Sequence, residues 1–89
     1  MGKTYGSKKI ERDFGRLTFG KALWAYRKGE DIPKKDLALL LGISPQSLYD
    51  LEKGRKIPSS VRTAHIARQL GQSEKLWSQL ALQDRKSEA

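Results

Sequence analysis

The most constraining feature of this chain is the stretch 32–54, in which two short helical patterns are separated by a three-residue break that begins at Gly42. Apolar residues lie at helical spacing on one face of each pattern: Leu37, Ala38 and Leu41 in the first, Leu48 and Leu51 in the second. Gly42 stands where a chain that leaves a helix and turns sharply needs a positive φ. Ser44 and Pro45 supply the N-cap oxygen and the first residue of the next helix. These residues predict two helices joined by a tight turn, the helix-turn-helix motif.

This stretch resembles the helix-turn-helix of the phage-repressor and Cro type, the Xre family. The residues that carry the resemblance are Leu37-Ala38, Gly42-Ile43-Ser44, Leu48, Leu51-Glu52, Gly54 and Pro58. Further matches fall in the family's first and fourth helices, at Leu23, Arg27, Ile66-Ala67 and Leu70-Gly71. The resemblance covers residues 18–80 and implies an all-α, five-helix, lambda-repressor-like domain that binds double-stranded DNA.

Length and charge limit the function further. The 89 residues correspond to one domain, and domains of this size often gain stability by oligomerising. Eighteen Lys and Arg against ten Asp and Glu give a net charge of +8, which favours a polyanionic partner. The chain has no cysteine, no apolar run of membrane-spanning length and no signal-peptide apolar region. We therefore expect a cytoplasmic protein of a bacterium or phage, associated with the nucleoid when bound and without a membrane partner.

The sequence divides into three parts: a basic N-terminal arm over 1–17, the helix-turn-helix domain over 18–83 and a frayed polar tail over 84–89. Within the domain, helices are predicted at about 18–28, 33–41, 45–53, 60–70 and 74–83. In the arm, Lys3, Lys8 and Lys9 are candidates for DNA contact, because such arms embrace the duplex in phage repressors. A disordered tail is the other interpretation of this segment.

A DNA major groove admits one α-helix, and residues 45–53 form the candidate. The apolar side of this helix is expected to pack on the core, so its opposite side should face the bases. By position in the family's recognition helix, the base-reading residues are Pro45, Gln46, Tyr49 and Asp50. Gln46 is the strongest candidate, because its amide can pair with N6 and N7 of adenine. Tyr49 can pack on a thymine methyl group or bond a phosphate, and Asp50 can accept a hydrogen bond from cytosine N4.

Polar and cationic side chains near this helix predict phosphate contacts, which supply register and non-specific affinity. The candidates are Lys34, Ser47, Lys53, Arg55 and Lys56. Lys34 matches the family position that grips the DNA backbone together with the N-terminal amides of its helix. A solvated surface is the alternative for each lysine. Asp50 would repel phosphates, and we favour its pairing with Lys53 or Arg55 over base reading.

Arg27 and Glu52 match positions that form an ion pair in the Xre family. A guanidinium can bind a carboxylate through two parallel hydrogen bonds. The resemblance therefore implies a structural tie between the first helix and the end of the reading helix. We expect this tie to orient the reading helix and to add little DNA affinity of its own.

The family also implies binding as a symmetric dimer, since one helix reads only a few base pairs. The last helix is the expected interface, through Trp77 and Leu80, although both could instead cover the protein's own core. Trp24 lies off the apolar stripe of the first helix. It either packs along a neighbouring helix or the arm, or belongs to a protein-contact patch.

A sequence-specific transcriptional repressor acting as a dimer is the function that these observations favour. Residues 70–77 loosely resemble the LG-x5-W spacing of HigA-type antitoxins, so an antitoxin that masks a toxin and represses its own operon is the alternative. A protein-binding adaptor is a third class, which the basic residues around 45–53 argue against. We expect neither an enzyme nor a cofactor or metal, because the single histidine, His65, has no cysteine, second histidine or clustered carboxylates beside it in the sequence.

Overall fold

The computed structural model describes residues 17–88, so the predicted arm contacts Lys3, Lys8 and Lys9 lie outside the described residues. The described chain forms five helices: α1 (Phe19–Gly29), α2 (Lys34–Leu41), α3 (Pro45–Lys53), α4 (Ser60–Gln69) and α5 (Glu74–Glu88). No strand occurs between residues 17 and 88, which confirms the predicted all-α class. None of the five helices is long and apolar enough to cross a membrane.

Local capping signals set most of the helix ends. Thr18, Ser44 and Ser59 each accept a hydrogen bond from the backbone N–H three residues on, and so begin α1, α3 and α4. Gly42 adopts a left-handed conformation with φ of 70°. The N–H groups of Gly42 and Ile43 bond back to carbonyl groups near the end of α2, which turns the chain directly into α3.

The core lies among all five helices and consists of the apolar faces that the sequence predicts. Its buried members are Phe19, Leu23, Leu37, Ala38, Leu41, Leu48, Leu51, Ile66, Ala67, Leu70, Trp77, Leu80 and Ala81. The rings of Phe19 and Trp77 meet edge to face, with centroids 5.7 Å apart. Trp77 is 5% exposed and Leu80 is 9% exposed. The predicted dimer interface at these two residues is therefore wrong, because both complete the core of the protein's own fold.

The last turns of α5 are ordered by contacts with distant parts of the chain. Asp84 Oδ2 accepts a hydrogen bond from the backbone N–H of Phe19 at 2.9 Å. The guanidinium of Arg85 donates to the Pro58 carbonyl at 2.6 Å and to the Ser60 hydroxyl at 3.3 Å. The prediction of a frayed tail that begins at residue 84 is wrong, since the helix continues to Glu88.

The backbones of α1 and α3 come close together at Gly20. A Cβ at this position would lie 2.5 Å from the Leu51 carbonyl oxygen and 2.8 Å from that of Glu52. Only glycine leaves room for this approach. The contact places the first turn of α1 directly beside the end of α3.

Candidate nucleic-acid interface

Helix α3 has one buried side and one accessible side. Leu48 is fully buried and Leu51 nearly so, which fixes the helix on the core. Pro45 and Gln46 are exposed at the start of the helix, and Tyr49 is half-buried on the next turn. The predicted reading side of α3 is therefore open to an incoming molecule.

Three cationic groups gather around the ring of Tyr49. The Nζ of Lys34 lies 4.8 Å from the ring centroid, the Cζ of Arg55 5.3 Å and the Nζ of Lys53 5.7 Å. They come from the start of α2, the loop after α3 and the end of α3 itself. Each is within cation–π range of the ring, but like charges this close also repel one another. This Tyr49 cluster is an arrangement that a bound anion would stabilise.

Asp50 does not stand free to read a base. Its Oδ1 accepts a hydrogen bond from the Gln46 amide at 3.1 Å and lies 3.9 Å from the guanidinium of Arg55. The amide of Gln46 keeps its oxygen and its second N–H, which are the two groups that adenine N6 and N7 require. The geometry favours Asp50 as the residue that orients Gln46. Sequence reasoning missed this bond, although the i, i+4 spacing of the two residues permits it.

The remaining phosphate candidates border the loop between α3 and α4. Ser47 is half-buried, with its hydroxyl accepting a hydrogen bond from the Ser44 hydroxyl at 3.1 Å, and Lys56 is exposed. Both line a shallow groove of about 210 Å³ together with Ser59 and Arg62. Arg62 was absent from the sequence-based candidates. It lies in the first turn of α4, which carries no acidic residue, and this local excess of positive charge was the available signal.

Arg27 and Glu52 form the expected ion pair. The Nε of Arg27 donates to Glu52 Oε2 at 2.7 Å and an Nη to Oε1 at 3.2 Å, while the other Nη donates to the Ile32 carbonyl at 3.2 Å. The two side chains are only 10% and 4% exposed. The pair therefore ties α1, the link to α2 and the end of α3 into one unit. Breaking it by removing one partner would leave a buried charge uncompensated.

Trp24 is 49% exposed on α1, and His65 is exposed on α4. His65 is not part of a metal-binding arrangement. Between residues 17 and 88, no three His, Cys, Asp or Glu side chains come together to hold an ion. The protein contact predicted for Trp24 stays a prediction.

The fold and the outward-facing polar side of α3 define a helix-turn-helix domain. A family model described as a helix-turn-helix domain matches residues 20–82, which is well over half of the chain. The chain therefore belongs to this helix-turn-helix family, and its membership indicates DNA binding and transcription regulation. The match is to the domain as a whole and does not select the Cro or the HigA type within it. No curated protein and no solved structure matches the chain.

Proposed function

We propose that this protein is a repressor that binds a specific double-stranded DNA sequence through α3 and acts as a dimer. The observation that carries the proposal is the Tyr49 cluster, which places three cations around an aromatic ring on the open side of α3. Its charge and its position beside Gln46 match what a helix in a major groove needs at the phosphates and at the bases. The proposal involves no catalytic step and no cofactor.

In this proposal Gln46 reads an adenine and Asp50 holds its amide in register. The cations at Lys34, Lys53, Arg55 and Lys56 bind phosphates on either side of the groove. Ser47 donates to a phosphate, and Pro45 packs against base edges. The Arg27–Glu52 pair keeps α3 in position without touching the nucleic acid.

The test begins with selection of bound fragments from random duplexes, followed by two matched substitutions. Gln46→Ala should remove about 1–3 kcal/mol of discrimination at one base position while leaving non-specific affinity close to that of the parent. Lys53→Ala should weaken all duplexes alike and reduce the slope of log K against log salt by about 1. Fluorescence anisotropy with labelled duplexes at several salt concentrations measures both effects.

If Gln46→Ala keeps the full sequence preference of the parent protein, another residue reads the bases. A binding constant that does not change with salt would overturn the DNA proposal itself, because phosphate contacts must release counterions.

The dimer also belongs to this proposal, with a revised interface. Since Trp77 and Leu80 are buried, the candidates become the apolar side chains that α5 leaves open, Leu76 at 54% and Leu82 at 46% exposure. A second copy of the chain would cover them and would place two α3 helices along one duplex.

The antitoxin alternative receives no separate support from the residues that suggested it. Leu70 and Trp77 are buried, and Gly71 ends α4 with φ of 69°. The LG-x5-W spacing is therefore explained by the fold of this domain alone. A small toxin reading frame beside the gene would favour the antitoxin, and its absence would favour the plain repressor.

A further inference from the structure

Trp24 is a large apolar side chain with nothing in the described part of the protein to cover it fully. Phe19 and Leu23 on the same helix are buried, whereas half of the Trp24 surface is exposed. The second tryptophan of the chain, Trp77, is 5% exposed. An indole on an otherwise polar surface is typical of a contact site, because it combines a large apolar ring with one N–H donor.

The position of Trp24 relates it to α3. Trp24 lines a groove of about 160 Å³ with Lys21, Glu52 and Lys53. Lys53 also belongs to the Tyr49 cluster, with its Nζ 5.7 Å from that ring. The groove on α1 and the Tyr49 cluster on α3 therefore share Lys53. The close approach of the backbones at Gly20 and the Arg27–Glu52 pair hold the two helices in this relation.

The charge of the groove is positive. Among residues 17–88, Glu52 is the one carboxylate that lines the groove, but that side chain is 4% exposed and bonded twice to Arg27. Lys53 contributes an ammonium group to the groove lining, and Lys21, which has an interaction partner of its own, also lines the groove. Lys28 is exposed one turn beyond Trp24 on the same helix. An acidic partner that can also pack against the indole ring fits this surface.

We propose that Trp24 and Lys53 form a second contact site for the DNA backbone. The indole N–H donates to a phosphate oxygen, the ring packs on the adjacent deoxyribose, and Lys53 neutralises the phosphate charge. The inference rests on the proposed function and extends the DNA footprint from α3 onto α1. We favour DNA over an acidic protein segment because the groove shares Lys53 with the Tyr49 cluster.

The two tryptophans make the proposal measurable in the unmodified protein. Acrylamide should quench mainly the exposed Trp24, and addition of the selected duplex should reduce that quenching. In Trp24→Phe the remaining tryptophan fluorescence, excited at a wavelength that tyrosine does not absorb, comes from buried Trp77, so quenching should be weak both with and without duplex. This variant is the internal control for effects of DNA on the fold.

Affinity provides the second measurement. Trp24→Ala loses one hydrogen bond to a charged group, so its affinity for DNA should fall about tenfold, equally for specific and random duplexes. Leu39→Ala is the matched control, since Leu39 is an exposed apolar residue on α2, outside the groove. Its affinity should equal that of the parent, and thermal melts of both variants should show an intact fold.

The outcomes separate this inference from the function on which it rests. If duplexes bind but Trp24 stays open to acrylamide and Trp24→Ala binds normally, the second site is wrong and the repressor proposal stands. If no duplex binds at all, both fail. If Trp24 becomes protected at rising protein concentration without DNA, the surface is a protein contact and the inference is overturned.

Discussion

Gly20 shows how one residue without a side chain positions the reading helix. Because its backbone touches that of α3 near Leu51 and Glu52, any Cβ there must push the two helices apart. The sequence around Gly20 does not indicate this role, because a glycine inside a helical pattern more often marks a position where the helix is less stable. The Gln46–Asp50 hydrogen bond could not be predicted from the sequence either. An exposed side chain can adopt several rotamers, and residue spacing alone does not show which one is populated.

We predict that Gly20→Ala lowers the free energy of unfolding by about 1–3 kcal/mol, as overpacking does elsewhere, and moves α3 away from α1. Gly29→Ala is the matched control, because a Cβ at Gly29 meets nothing within 4 Å. That variant should be neutral or more stable by up to about 1 kcal/mol. Urea denaturation measures both, and equal effects at the two glycines would contradict the close contact.

At the scale of the helices, the sequence predicted α1 to α4 within a residue at each end, and α3 without error. Their boundaries depend on local signals such as the Ser44 cap and the Gly42 turn, which the sequence displays directly. The end of α5 depends instead on Asp84 and Arg85, whose partners are far away along the chain, 65 residues in the case of Asp84. Local patterns contain no information about such contacts, and so the predicted helix was too short.

We predict that Arg85→Gln destabilises the protein by about 1–3 kcal/mol, because the Pro58 carbonyl loses a charged donor. Lys86→Gln removes the same charge from the next, exposed residue and should change stability by no more than about 0.5 kcal/mol. Thermal unfolding followed by circular dichroism compares the two. In Arg85→Gln, hydrogen exchange should also increase in the loop between α3 and α4, and unchanged exchange there would mean that Arg85 does not hold the loop.

At the scale of the domain, residues 17–88 have a largest extent of 35 Å, which is close to one turn of B-form DNA at about 34–36 Å. One copy can therefore cover a half-site, and a second copy is needed to read the next turn. This dimer was implied by family resemblance, but its interface could not be derived from the sequence. The sequence shows that the last helix is apolar, whereas only the packing shows that Trp77 is buried and Leu76 is exposed.

If the proposed dimer forms through α5, we predict that Leu76→Lys makes the protein a monomer and removes cooperative binding to the selected duplex. Leu39→Lys is the control, since it adds the same charge at an exposed leucine on another helix. Sedimentation velocity at several protein concentrations measures the oligomeric state directly. A dimer that persists in Leu76→Lys would place the interface elsewhere.

Under the proposed base reading by Gln46, its hydrogen bond to Asp50 also limits how the preferred DNA sequence could be changed. An arginine is the usual choice for reading guanine, so Gln46→Arg is the obvious first step. The neighbouring carboxylate would attract the new guanidinium and compete with the base for it. A change of specificity at this position therefore requires a simultaneous substitution such as Asp50→Asn, and neither change alone should give a useful intermediate.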